Sequence, residues 1–246
     1  MKRLCSILIM IGLLLFVFCG CDKAYNEGKT GIEKAIADFY EADYDYERID
    51  EVYDKDTDTY SKTVYEGQVF NNPYKEHMKV VSPDRNSITN EIYYDKNWIF
   101  GSIRAHILTD DGWVLQTVSR SQPNGYGKEL QYKLDREETI DGKMAEVYTT
   151  EYTESVSKLF QIQEDLTYTV KQEYYLDKDR QVLIRIVSDM TDCNEKTAIA
   201  NDMSANGSTL EQAQNNVKQL PASQQKDTLN ISNYGNATEI EWPEFK

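Results

Sequence analysis

The hydrophobic residues of this chain follow three different patterns along its length. A largely apolar run extends from Leu4 to Phe18, shorter than the roughly 20 residues that a membrane-spanning helix needs. Further on, Ile32, Ile36 and Phe39 recur at the spacing of one helix face, which predicts an amphipathic helix from residue 31 to about 42. After this helix the apolar residues fall at every second position, the period of a β-strand with one buried face.

Alternating apolar and polar residues predict most of the strands. Turn-forming sequences such as Asp110-Asp111-Gly112 and Asp141-Gly142 separate the alternating segments at hairpin distances. Strands with one wetter face are typical of antiparallel sheets, so the pattern predicts an antiparallel meander. Its strands are expected near residues 60–70, 74–81, 87–94, 98–108, 113–119, 129–138, 143–152, 166–176 and 181–189.

Capping signals and turns place the remaining elements. Thr30 with Glu33 predicts a capping box before the first helix, and Ser208 with Glu211 predicts another before a helix that ends near Leu220. A short helical insertion is expected between residues 154 and 164. The last two strands are expected at 229–233 and 238–242, around a Tyr-Gly-Asn turn. Because no linker divides the body, residues 30–246 are expected to form a single domain.

The N-terminus has the pattern of a bacterial export signal. Lys2 and Arg3 precede the apolar run, and small residues follow it, ending in Gly20 and Cys21. This resembles the lipobox of bacterial lipoproteins, which implies that the leader 1–20 is cleaved after Gly20 and that Cys21 receives the lipid. Residues 21–29 would then form a tether. The alternative is an uncleaved membrane anchor. Either way the body is expected at the cell membrane, on its extracytoplasmic face.

Composition narrows the classes of function. The chain of 246 residues has a net charge of −15 and a mean hydropathy of −0.65, with 40% hydrophobic residues, as expected of a globular body. Nucleic-acid binding requires a basic surface, so this acidity argues against a nucleic-acid partner. Acyl chains rather than surface charge would hold the chain at the membrane. Eighteen tyrosines suit either strands or an amphipathic binding surface.

No local motif indicates catalysis, a metal site or a cofactor. His77 and His106 are the chain's histidines, and neither lies in a nucleophile or metalloprotease motif. The Asp54-x-Asp56-x-Asp58 spacing begins like a calcium loop but lacks the glycine and glutamate that such a loop needs. After lipidation of Cys21 and loss of the leader, Cys193 would be the remaining thiol, in an acidic context that disfavours activation. We therefore expect a protein that is not an enzyme and has no cofactor.

Four segments carry a family resemblance. They are NISNYGNATEIEWPE at residues 230–244, the pair Tyr65–Val69 and Asn72–Glu76, and Tyr174–Lys178. Together they resemble the LolA/LppX-like group of lipoproteins, in particular its Gram-positive members. The resemblance implies an α+β fold: a curved antiparallel sheet, or open half-barrel, covered on its concave face by a few helices. In that group the sheet and helices enclose an apolar cavity for acyl chains or other lipids.

These observations leave three hypotheses about function. The first is a membrane-anchored extracytoplasmic lipoprotein that binds a lipid or another apolar ligand. The second is a non-enzymatic interaction or sensing module that modulates a membrane partner, whose identity the sequence does not give. The third and least favoured is a hydrolase with His106 as its base. An apolar space between helix 31–42 and the sheet would favour the first.

Overall fold

The computed structural model describes residues 31–54, 58–82, 87–96, 103–109, 111–118, 130–160, 162–218 and 224–245. The described helices are α1 (Ile32–Phe39), α2 (Ser157–Phe160), α3 (Thr191–Asn206) and α4 (Leu210–Lys218). The described strands are β1 (Tyr44–Asp54), β2 (Thr59–Asn71), β3 (Tyr74–Val81), β4 (Ile88–Lys96), β5 (Ile103–Thr109), β6 (Gly112–Val118), β7 (Lys133–Ile140), β8 (Lys143–Ser155), β9 (Thr167–Asp177), β10 (Leu183–Asp189) and β11 (Gln224–Ser232).

All of these strands belong to one open antiparallel sheet of eleven strands. Their order is β6-β5-β4-β3-β2-β1-β11-β10-β9-β8-β7. The predicted antiparallel sheet with helices is therefore confirmed, and its order departs from a simple meander in one place. The last strand returns to lie between β1 and β10, so the edge strands β6 and β7 are consecutive along the chain.

Strand register assigns each side chain to one of two faces. Tyr46, Gly67, Met78, Ile92 and Ile107 are aligned across neighbouring strands and share the face on which the helices pack, the helix-covered face. The alternate residues point to the other side, the outer face. Buried apolar side chains occur on both faces, so each face needs cover.

Sequence analysis missed strand β1, and the reason lies in its buried residues. Tyr44 and Tyr46 begin an alternation on the helix-covered face, but Arg48 and Asp50 continue it with charged groups. Charged residues are rarely buried unless they are paired, so the pattern looks like a polar loop. The structure pairs them with each other, which allows the strand to continue.

The helices correct three predictions. The N-cap of α1 is Gly31, at φ 59°, one residue after the predicted N-cap Thr30, which lies outside the described residues. The second capping box is displaced by one residue, because Thr209 Oγ1 accepts a hydrogen bond from the Gln212 N–H at 3.3 Å. Helix α3 was not predicted, because its apolar residues form no continuous stripe.

The C-terminal residues 233–245 do not form the predicted strand at 238–242. Instead they cross the outer face as an extended segment, which we name the C-terminal strap. Asp45 of β1 holds its start, accepting hydrogen bonds from Thr238 N at 2.8 Å, Thr238 Oγ1 at 2.6 Å and Asn233 Nδ2 at 2.6 Å. The Asp45 side chain, together with a backbone hydrogen bond from the Gly235 N–H to the Asp43 carbonyl oxygen at 2.7 Å, therefore fixes the start of this segment.

The far end of the strap inserts two aromatic rings among aromatic residues of β3–β6. Phe245 stacks on His106 with ring centroids 3.8 Å apart and meets Trp113 edge-on at 5.1 Å. Trp242 meets Tyr93 edge-on at 5.2 Å. These are favourable aromatic geometries, so the strap braces the outer face of the strands that it crosses.

No helix within the described ranges is long and apolar enough to cross a membrane.

Candidate functional site

The predicted lipid-attachment residue Cys21 and the cleavage residue Gly20 lie outside the described residues, as does Asp56 of the acidic turn. Asp58 accepts a hydrogen bond from the Tyr53 hydroxyl at 2.6 Å. The candidate site therefore has to be built from the globular body, beginning with the face on which the helices pack.

An apolar core joins α1 to the helix-covered face. Ile32, Ile36 and Phe39 form one stripe of α1 and are buried in this core, and the Phe39 ring stacks on Tyr44 with centroids 4.7 Å apart. The sheet contributes aromatic and aliphatic residues from most of its strands: Tyr46, Tyr65, Val69, Tyr74, Met78, Ile92, Tyr94, Ile103, Ala105, Ile107, Tyr174, Leu176, Leu183, Ile186 and Ile231. In the described residues these side chains are buried together in one core, and α1 packs on part of it beside β10.

A glycine allows one tyrosine to cross this core. A Cβ on Gly67 would lie 2.6 Å from the Tyr46 ring and 2.5 Å from the His77 carbonyl oxygen, so no larger residue fits there. The Tyr46 hydroxyl thereby reaches β3 and donates to Glu76 Oε1 at 2.7 Å, while the Tyr74 hydroxyl donates to the other carboxylate oxygen. Burial raises the pKa of Tyr46 well above its ordinary value, and the Glu76 charge adds to the rise.

A buried ionic network occupies the same face further along β1. Arg48 Nε donates to Asp50 Oδ1 at 2.7 Å, and Arg48 Nη2 donates to Asp227 Oδ2 of β11 at 3.0 Å. The three side chains are 12–15% exposed. The guanidinium carbon also lies 5.6 Å from the Tyr65 ring centroid, within cation–π range. One buried guanidinium thus holds two carboxylates.

Burial raises the pKa of the Asp50 carboxyl to about 6, the Arg48 guanidinium opposes this rise, and the nearby Asp227 adds to it. The same burial, together with the Asp50 charge, raises the pKa of Tyr65. When both carboxylates are ionised they outnumber the guanidinium, so the network carries a net negative charge. It therefore favours a partner that donates hydrogen bonds.

The helix-covered face combines the two properties of a small-molecule site. It offers a broad apolar surface and a few fixed polar groups, which orient a ligand in most binding pockets. Such a face suits an amphiphile, with an apolar body against the tyrosines and aliphatic residues and a polar end near Arg48 and Asp50.

Both histidines lie on the outer face, away from these groups. His77 Nε2 is 2.7 Å from Glu91 Oε1, and His77 Nδ1 is 3.0 Å from Gln68 Oε1, so both ring nitrogens have partners. His106 lies on the polar side of its strand, as predicted, where Phe245 of the strap stacks on it. Burial lowers the pKa of both histidines. Their positions fit support of the strap rather than the role of a base.

Cys193 is buried in α3 rather than placed in the polar stretch that its neighbours suggested. Burial raises the pKa of its thiol, the direction expected from sequence although the cause is different. Within the described part of the chain, no three His, Cys, Asp or Glu side chains are grouped to hold a metal ion.

Sequence analysis missed Arg48, Asp50 and Asp227. The register that aligns Asp50 with Asp227 across β1 and β11 joins residues far apart in the chain, and no local pattern encodes it. The available signal was the continued alternation of Tyr44, Tyr46, Arg48 and Asp50, which puts charges and tyrosines on the same face.

The chain is similar to several solved structures at low sequence identity. Lipoprotein LppX of Mycobacterium tuberculosis matches at 11% identity and a TM-score of 0.45, over 90% of this chain and 100% of LppX. LprF of Mycobacterium bovis matches at 11% identity and a TM-score of 0.37, over 81% of this chain and 89% of LprF. A LolA superfamily protein of Nitrosomonas europaea matches at 10% identity and a TM-score of 0.30, over 83% of this chain and 89% of that protein. The resemblance predicted from sequence names this same group.

No protein-family model and no curated protein sequence matches the chain.

Proposed function

We propose that this chain is an exported, membrane-tethered lipoprotein that binds an apolar ligand with a polar end on the helix-covered face of its sheet. The observation that supports it most directly is the composition of that face, where α1 packs on a core of tyrosine and aliphatic side chains beside a buried ionic network. The ligand's apolar body would replace contacts that α1 now makes. Its polar end would meet Arg48, Asp50 and Asp227.

The position of α1 supports a coupling between tether and site. The tether 21–29 leads directly into α1, and nine extended residues span at most about 30 Å. A membrane anchored through Cys21 would therefore lie close to the helix that covers the site. The cost of lifting α1 is the exposure of Ile32, Ile36 and Phe39, on the order of several kcal/mol, which an apolar ligand would offset by covering the same surface.

A pair of matched variants tests ligand binding. Ala105 is buried on the helix-covered face and Ala145 is buried on the outer face, so substitution to leucine overpacks opposite sides of the same sheet. The full chain, purified from membranes, should carry an apolar molecule that mass spectrometry detects in an organic extract. Ala105→Leu should reduce the amount several-fold, whereas Ala145→Leu should leave it unchanged.

The proposal fails if the unaltered chain yields no bound apolar molecule beyond its own acyl groups. It also fails if the two leucine variants lose ligand equally, because the loss would then follow from overpacking alone. Thermal unfolding of both variants controls for stability.

The anchor needs a separate test. Mass analysis of the membrane-bound protein should find a diacylated Cys21 at the N-terminus, and Cys21→Ala should release the protein from the membrane fraction. An intact leader with an unmodified residue 21 would contradict the lipoprotein assignment while leaving the ligand site untouched.

A further inference from the structure

The outer face carries a broad polar groove that the proposed apolar site does not use. It has a volume of about 1090 Å³ and crosses seven neighbouring strands, from β2 at one side to β7 at the other. The groove lies opposite the face on which the helices pack. Its size is comparable to the larger small-molecule sites of proteins.

Charge is balanced within this groove, unlike in the rest of the chain. Four lysines and four carboxylates line it in a protein whose net charge is −15. Lys62 pairs with Glu51 at 2.6 Å, and Lys171 lies 3.9 Å from Glu151. The Lys226 and Lys133 ammonium groups make no ion pair with any side chain that the structure describes. The groove therefore offers donors and acceptors in similar numbers without a strong net field.

The lining residues are mostly polar or charged in type, although their hydrocarbon stems contribute as much apolar as polar surface. Val187 is its aliphatic residue, and this side chain is almost fully buried. The remaining side chains are charged, amide or hydroxyl groups, with one aromatic residue, Tyr60. That ring is 57% exposed and is supported from one side by Tyr53, with centroids 4.9 Å apart. A supported, exposed tyrosine offers a flat apolar face at the rim of a polar groove.

The sheet itself cannot recognise a peptide backbone here. Most of the groove floor consists of inner strands, from β2 to β8, and both edges of each are already paired with a neighbour. An extended peptide needs a free strand edge to add to a sheet. Recognition in this groove therefore depends on side chains.

We propose that this groove binds an uncharged oligosaccharide, with Tyr60 stacked on a sugar ring and the lysine and carboxylate side chains hydrogen-bonded to its hydroxyl groups. A sugar hydroxyl both donates and accepts, so it matches a lining of ammonium and carboxylate groups. The apolar face of a sugar ring matches Tyr60. The groove is on the opposite face from the proposed site for an apolar ligand, so the two proposals can be tested independently.

Binding of chitohexaose, cellohexaose and maltohexaose to the purified full chain tests the proposal by isothermal titration calorimetry. At least one should bind, with a Kd between about 10 μM and 1 mM. Tyr60→Ala should weaken that binding about tenfold, because it removes the aromatic face on which the sugar ring stacks. Leu115→Ala is the matched control, because Leu115 is 58% exposed and lies outside the groove, and it should change nothing.

A second pair of variants tests the polar contacts. Lys226→Gln should weaken binding several-fold, whereas Lys178→Gln, at an exposed lysine outside the groove that pairs with Glu137 at 2.6 Å, should not. Affinity should stay constant between about 0.05 and 0.5 M salt, because the ligand is uncharged.

The proposal is overturned if none of the three hexasaccharides binds at about 10 mM. It is equally overturned if Tyr60→Ala and Leu115→Ala behave alike. Tighter, salt-sensitive binding of a galacturonate hexamer would contradict the charge-balance argument and show an anion site instead. Circular dichroism before titration verifies that each variant is folded.

Discussion

The two halves of the sheet protect their apolar surfaces in different ways. In the C-terminal half, α3 packs over β9 and β11, and α4 packs against α3 in a cluster that includes Ile199, Met203 and Ala213. In the N-terminal half, the outer face of β3–β6 depends on the strap and its two inserted rings. A helix satisfies its own backbone, but an extended strap does not. The strap is held mainly by side chains, so single substitutions should affect it more.

Gly67→Ala should cause the largest loss of stability. The loss should be confined to the N-terminal half of the sheet, which the strap crosses. The added Cβ would meet the His77 carbonyl oxygen at 2.5 Å and the Tyr46 ring at 2.6 Å, and neither can move without disturbing the core. We expect a loss of about 3 kcal/mol in the free energy of unfolding, measured by urea denaturation. Gly142→Ala is the control: its φ of +79° causes strain but its surroundings are open, so we expect about 1 kcal/mol.

The double variant Trp242→Ala/Phe245→Ala should come next. It removes the rings that contact Tyr93, His106 and Trp113, and should cost about 2–3 kcal/mol. Hydrogen–deuterium exchange should accelerate in β3–β6 and remain unchanged in β8–β10. Uniform acceleration across the sheet would show that the two halves are not stabilised separately.

The smallest predicted effect on stability comes from His106 and depends on pH. Because burial lowers the pKa of His106 in the folded state, the unfolded chain takes up a proton at higher pH than the folded chain does. Stability from this residue is therefore present above a pH of about 6.5 and is lost as the pH falls below it. The raised pKa of Asp50 acts in the opposite direction at lower pH, so the comparison has to be made between variants.

His106→Gln should flatten the loss of stability between pH 7 and pH 5, measured by thermal unfolding relative to the unaltered chain. In the Trp242→Ala/Phe245→Ala background, His106→Gln should flatten this loss of stability less, because the His106 ring is already exposed without Phe245. Equal flattening in both backgrounds would show that the contribution of His106 to stability does not depend on the strap.

Sequence patterns predicted the sheet well wherever one face was plainly apolar. The hairpins β2–β3 and β7–β10 follow from alternation and turn residues that act locally, and their bounds agree with prediction to within a few residues. Strand β1 was missed because its buried charges, Arg48 and Asp50, interrupt the apolar alternation, and the third member of their network, Asp227, comes near only in the folded chain. The end of the chain was mistaken for a strand because Ile240 and Trp242 alternate with Glu239 and Glu241, a pattern that an extended strap shares.

The candidate site was predicted less completely. The resemblance to the LolA/LppX-like group implied an apolar space beneath the first helix, whereas in the described residues α1 packs directly on an apolar core of the sheet. The ionic network on that surface arises from cross-strand register, which a single sequence does not reveal. The outer groove likewise combines residues from seven strands, and none of them is distinctive alone.

The central position of β11 has a consequence for how the sheet is made. Asp45 is aligned with Ser232, so the middle of the sheet joins the two ends of the body, a pairing of very high contact order. During synthesis the β1–β2 hairpin emerges early, and one edge of β1 stays unpaired until β11 has been synthesised. Such an edge is a template for aggregation, and we expect a holding chaperone to protect it until the chain is complete.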